Sequence, residues 1–240
     1  MARSRPRLRS LLSKGPRPWQ FNIDQEAMET WMASPGQMRT TLENQLQRSK
    51  RWFGEDRKVT VNARIQLASY YDRHGYWAEA LAVWQEAVAT LTRRGQADSE
   101  TRWNIEFSIG RLYRELDQPD AALPVLESVV EDFRRRFGEN DRRTLTAMTW
   151  LSGTLRKLGE HERAVEVSRA VVAGCTHTLG PDDPATLDAI AGLITSLGRS
   201  NEFVEARVLL LTLIDRRTQT LGADHPKTKW AETLLASYPD

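Results

Sequence analysis

Apolar and small residues recur along the chain at helical spacing. Ala63, Leu67, Ala68 and Tyr71 fall on one face of a helix. After a break at His74-Gly75-Tyr76, Ala80, Leu81, Trp84, Ala87, Val88 and Leu91 return at intervals of three, four and seven residues, the stripe a surface helix buries. Gly75 suits the break because glycine takes the left-handed conformation that ends a helix. No stretch alternates apolar and polar residues with period two, so the pattern predicts paired helices and no strands.

The pair repeats. Gly54, Gly138, Gly180 and Gly222 are spaced by 84, 42 and 42 residues, and Gly95 falls one position short of the missing member. Asp56, Asp98, Asn140, Asp182 and Asp224 keep the 42-residue step. So do Ala80, Ala122, Ala164 and Ala206, and Leu67, Ile109, Leu151, Leu193 and Leu235. Several residue types in one period mark a tandem array, in which each unit buries its apolar face against its neighbours. The alanines suit the closest approach of two helices. Gly159 holds the turn position of Gly75, and Asp117 and Asn201 fill it in the other units, since Asp and Asn tolerate positive φ. At the junctions Leu179–Pro184 and Leu221–Pro226, glycine follows one helix and proline opens the next, with Asp182 or Asp183 placed to cap it. Pro119 reads as a first-turn proline. Pro124 would cost hydrogen bonding unless its helix begins late.

The "LG.DHP" junction at Leu221–Pro226, the "LG.DDP" form at Leu179–Pro184 and the LASYYDRHGYWAEAL segment at 67–81 resemble tetratricopeptide (TPR) repeats of the 42-residue, kinesin-light-chain-like type. The resemblance covers 54–240. It implies an all-α TPR α-solenoid, a right-handed superhelix of antiparallel helix pairs: four units and a closing helix over Thr228–Ser237. Residues 21–53 read as a degenerate leading unit, with a first helix over Asp24–Ala33, a turn at Ser34-Pro35-Gly36 and a second helix over 37–53. Met38, Leu42 and Leu46 precede Ala80, Trp84 and Val88 by 42 residues.

Composition changes this picture only at the N-terminus. Residues 1–20 carry Arg3, Arg5, Arg7, Arg9, Lys14 and Arg17 and no acid, so the chain's +2 conceals +6 there and −4 elsewhere. Prolines and like charges predict a disordered basic arm, able to reach nucleic acid or anionic lipid. Leu8, Leu11 and Leu12 among the cations also fit a mitochondrial presequence; otherwise the chain reads as cytoplasmic.

The residues point away from catalysis. His74, His161, His177 and His225 lie at turns or helix ends of different units, with no pair at the four-residue spacing of a helical zinc site. Cys175 is a lone cysteine with no base partner, and no phosphate-binding loop is present. The reading is therefore of a chain with no catalytic residue, cofactor or metal, an adaptor or scaffold for a protein or peptide.

By the resemblance, the first helix of each unit lines the concave face. That nominates Asn62, Gln66, Ser69 and Arg73; Asn104, Phe107, Arg111 and Arg114; Thr146, Trp150, Arg156 and Lys157; and Asp188, Thr195 and Arg199. Arg114 and Arg156 share one slot of the repeat, and Arg73, Lys157 and Arg199 the next. Arginine forks clamp carboxylates and a tryptophan offers a flat anchor, so the groove is expected to take an acidic peptide. The alternatives are cations paired with Glu106 and Glu115 on a solvated face, the arm as a tether, or a regulatory module closing around a peptide. Trp52, Trp77, Trp103 and Trp230 do not repeat and are expected to pack locally.

Overall fold

The computed structural model of the chain describes residues 35–96 and 99–238. The basic arm at 1–20 and the helix expected over Asp24–Ala33 lie outside the described residues.

Ten helices run through the described residues: α1 (Pro35–Phe53), α2 (Lys58–Arg73), α3 (Trp77–Arg93), α4 (Glu100–Glu115), α5 (Pro119–Phe137), α6 (Arg142–Leu158), α7 (His161–Leu179), α8 (Pro184–Arg199), α9 (Phe203–Leu221) and α10 (Pro226–Ser237). No strand occurs among these residues. The chain divides into two compact units. The first contains α1, α2, α3 and residues 100–105; the second contains residues 106–115 and α5 to α10. In each, consecutive helices joined by short turns pack on one another, and in the second α6 also meets α8. Each unit is thus the all-α run of paired helices that the period implies.

The repeating residues occupy repeating positions. Ala80, Ala122, Ala164 and Ala206 have no exposed surface, and Leu67, Ile109, Leu151 and Leu193 are buried. Helices approach closely elsewhere by the same means: a β-carbon on Gly110 would stand 2.8 Å from the Leu126 side chain. Asp117 and Asn201 adopt the left-handed turn with φ of 57° and 61°, as Gly159 does with 81°. Asp141 and Asp183 cap α6 and α8, accepting from the backbone N–H two residues on at 2.8 Å. His225 caps α10 through Nδ1.

A buried threonine completes the junction. Thr60, Thr144 and Thr228 donate to the carbonyls of Gly54, Gly138 and Gly222 at 2.7, 2.8 and 3.0 Å. Each bond ties the first helix of a unit to the glycine that closed the previous one.

Local expectations are settled or corrected at three places. Pro35 and Gly36 open α1 instead of forming a turn, consistent with the preference of proline for a first helical turn. Helix α5 begins at Pro119 and continues through Pro124, so no late start accommodates that proline. Of the unrepeated tryptophans only Trp103 is buried; Trp52, Trp77 and Trp230 keep 37–50% of their surface exposed.

Two arginines enter the core where the repeat elsewhere has other residues. Arg64 stands where Met148 and Ile190 stand two and three repeats on. It is buried and bonded to the Glu55 carbonyl at 2.8 Å, to Thr90 Oγ1 and Glu86 Oε2 at 3.2 Å each, and to the Glu55 carboxylate. Arg217 holds the slot of Leu91, Phe133 and Cys175 and reaches the Lys227 carbonyl at 2.9 Å and Asp188 at 3.0 Å. Buried guanidinium groups persist when they are hydrogen-bonded in this way.

Candidate functional site

The nominated residues divide between the two units. In the first, Asn62 is exposed on α2, Gln66 Oε1 accepts from Gln45 Nε2 at 3.2 Å, and Arg73 donates through Nε to the Ser69 carbonyl at 3.1 Å. Asn104 is exposed on α4.

The second unit brings several candidates together. Residues of α4, α6, α7 and α8 converge there because α6 packs against both α7 and α8. A cavity of about 390 Å³ opens between α6, α7 and α8, lined by Leu145, Thr149 and Trp150 of α6, Val171 and Cys175 of α7, and Ala189 of α8, among others. Arg156 stands further along α6, outside the lining of this cavity. It half-buries itself by turning Nη1 inward to Ser196 Oγ at 2.9 Å, Ser152 Oγ at 3.1 Å and the Gly192 carbonyl at 3.4 Å. Ser168 joins Ser152 at 2.6 Å and Ser196 at 3.0 Å, closing a buried hydroxyl network.

Ser168 explains why there is room. It takes the slot filled by Trp84, Leu126 and Leu210 in the other units. A side chain that much smaller leaves a cavity of about 40 Å³ under Arg156, bounded also by Thr149, Val171 and Gly192. The serine was not among the nominated residues. A polar residue at a position otherwise reserved for large apolar ones was nevertheless a visible signal.

Arg114 stacks its guanidinium over the Trp150 indole at 4.5 Å, and Arg111 stands 5.7 Å from the same ring. The tryptophan expected as a flat anchor is thus partly covered by cations. Gly153 makes this arrangement possible: a β-carbon there would meet Arg114 Nη1 at 2.5 Å and Arg156 Nη2 at 3.6 Å.

The charge here is unbalanced. Among the described residues Arg114, Arg156 and Arg199 form no ion pair. Burial holds the Arg156 pKa below its ordinary value, and the neighbouring Arg114 and Arg199 charges push the same way. Burial also lowers Arg114, with Glu115 opposing it. Asp188 reaches the rim of both cavities but is engaged by Arg217 and by Lys227, at 3.0 and 2.7 Å. The remaining candidates serve local roles. Lys157 pairs with Asp117 at 2.8 Å, Thr146 and Thr195 bond back to Arg142 and Ala191, and Phe107 packs near Phe133.

The Cys175 thiol is buried, and burial first, Asp183 second, raises its pKa. Among the described residues no group of three or more His, Cys, Asp or Glu is placed to hold a metal ion. No helix of these residues is long and apolar enough to cross a membrane.

Residues 144–185, from the start of α6 to the start of α8, match the tetratricopeptide-repeat family model. No curated protein matches the chain. Among solved structures, the chain is similar to the nearly identical TPR-like repeats of a protein from Podosopora anserina designated a kinesin light chain. That match has a TM-score of 0.75 and 19% identity, over 85% of this chain and 98% of that one. BtubC (BKLC) from P. vanneervenii superposes with a TM-score of 0.70 at 18% identity, over 86% and 82% of the two chains. YrrB, described as a TPR protein with an unusual peptide-binding site, gives 0.54 at 19%, over 81% and 84%. Family match, 42-residue period and fold coincide: residues 144–185 match a tetratricopeptide repeat, and the chain has the fold of the kinesin-light-chain-like arrays.

Proposed function

We propose that the chain is a non-catalytic adaptor or scaffold that holds a protein or peptide segment, and that the opening between α6 and α8 receives it. The observation that carries this reading is the pairing of an apolar-lined cavity of about 390 Å³ with half-buried arginines that lack acidic partners. An apolar side chain would enter beside Leu145, Val171 and Cys175, while acidic residues of the same segment would meet Arg114 and Arg156. In the first unit, Asn62, Gln66, Arg73 and Asn104 would offer the equivalent polar face to a ligand. YrrB, which shares the fold, is described by its own peptide-binding site and lends support by analogy alone.

The test is charge reversal. Arg114→Glu combined with Arg156→Glu should remove acidic protein partners recovered by affinity purification with the whole chain. Reversing Arg93 and Arg94, far along the chain in the first unit, should leave recovery intact. Unchanged recovery of every partner by the double variant would dispose of the groove.

A further inference from the structure

We propose that Arg114, Arg156 and Arg199 form a site for a phosphoryl dianion, so that the ligand of this groove is a phosphorylated peptide segment. The location rests on the groove reading above; the ligand chemistry goes beyond it. Arg156 commits one nitrogen, Nη1, to Ser152, Ser196 and the Gly192 carbonyl, which fixes the guanidinium plane. Its Nη2 turns the other way, toward Gly153 and Arg114. Arg114 is aimed by its stacking on Trp150.

The two guanidinium groups meet over Gly153. The distances of 2.5 and 3.6 Å from a single point there keep Arg114 Nη1 and Arg156 Nη2 within about 6 Å of each other. Two oxygens of one phosphoryl group bridge such a gap with N···O contacts of about 2.8 Å. Arg199 stands one helical turn beyond Ser196, to which Arg156 Nη1 is bonded, and adds a third positive charge that acts on Arg156. Among the described residues none of the three forms an ion pair; Asp188 is taken by Arg217 and Lys227, and Glu115 acts on Arg114 without pairing with it. A single carboxylate would leave two positive charges uncompensated in a partly desolvated place. A dianion with several acceptor oxygens matches both the charge and the donor count, the chemistry by which arginine clusters select phosphorylated segments.

Gly153 and Gly192 are part of the site. The slot of Gly192 is that of Trp150 one repeat earlier, and a β-carbon there would meet nothing within 4 Å. Open space therefore lies over Gly192, whose carbonyl Arg156 Nη1 reaches at 3.4 Å.

The experiment measures thermal unfolding of the full chain against inorganic phosphate and against acetate, at constant ionic strength. A ligand that binds only the folded form raises the midpoint with concentration. Phosphate should raise it well beyond acetate. Arg156→Gln and Gly153→Ala, the latter displacing Arg114, should each weaken the phosphate response by about tenfold or more in apparent affinity. Arg199→Gln, an exposed change that leaves the serine network intact, should weaken it by a smaller factor and serves if the buried variants fail to fold. Arg93→Gln should respond as the unaltered chain does. Equal responses to phosphate and acetate, or a full phosphate response in Arg199→Gln and Gly153→Ala, would overturn the phosphoryl site. Capture of unphosphorylated acidic partners without any phosphate response would overturn it too, and leave the groove standing.

Discussion

Thr144 and Thr186 hold the same buried slot one repeat apart, yet only Thr144 has an acceptor for its hydroxyl. Thr144 Oγ1 donates to the Gly138 carbonyl at 2.8 Å, whereas Thr186 Oγ1 is buried with no partner among the described residues. An isosteric swap therefore has opposite consequences at the two positions. Thr144→Val strands a carbonyl at the junction and should cost about 1–2 kcal/mol. Thr186→Val removes an unsatisfied hydroxyl and should be neutral or stabilising. Urea unfolding of the two variants checks the contrast; equal losses would refute it.

Pro124 carries a separate expectation. It lies inside α5, five residues beyond Pro119, where its ring removes the bond to the Asp120 carbonyl. The residue is exposed, so replacing it sacrifices little packing. Pro124→Ala should stabilise the second unit by about 1–3 kcal/mol through the restored ladder. A lowered urea midpoint would count against this account.

The first unit has a pH-dependent contact at Glu43. Its carboxylate accepts from the Tyr71 hydroxyl at 2.6 Å and from Arg39 Nε at 2.8 Å, and these bonds, Tyr71 first, lower its pKa. The folded state favours the charged form, so this contribution is complete above the ordinary carboxylate value. It is lost as pH falls through the depressed one. Tyr71 shows the opposite sign: burial first, then its bond to Glu43, push it up to about 12. Its contribution is present below about pH 10 and lost as pH rises through the folded value. Urea midpoints across pH should show a shallower acid limb for Glu43→Gln, and shallower limbs at both ends for Tyr71→Phe.

Cys175 reports on opening of the second unit. Its thiol is buried against the groove, and its raised pKa keeps the reactive thiolate scarce at neutral pH. A thiol-specific reagent should label it slowly in the folded chain and at once in urea. Rapid labelling of the folded chain would show that the floor of the cavity is open to solvent.

The sequence alone determined the helices, their turns and their order. A 42-residue period in Gly138, Ala164, Leu193 and their equivalents reports contacts between neighbouring elements, and such contacts are local in a solenoid. That is why the sequence shows Asn201 as a left-handed turn and His225 as a junction residue. The site is different. Arg156 reaches a serine from each of α6, α7 and α8, Arg114 leans from α4 onto Trp150 of α6, and Gly153 admits both guanidinium groups. Arg114 and Arg156 share a slot of the repeat, but what surrounds them departs from it, since Ser168 stands where Trp84, Leu126 and Leu210 stand in the other units. These meetings depend on which way each long side chain turns once its helix is packed. Only the tertiary structure decides that, because rotamer choice follows from the space and partners that neighbouring helices leave.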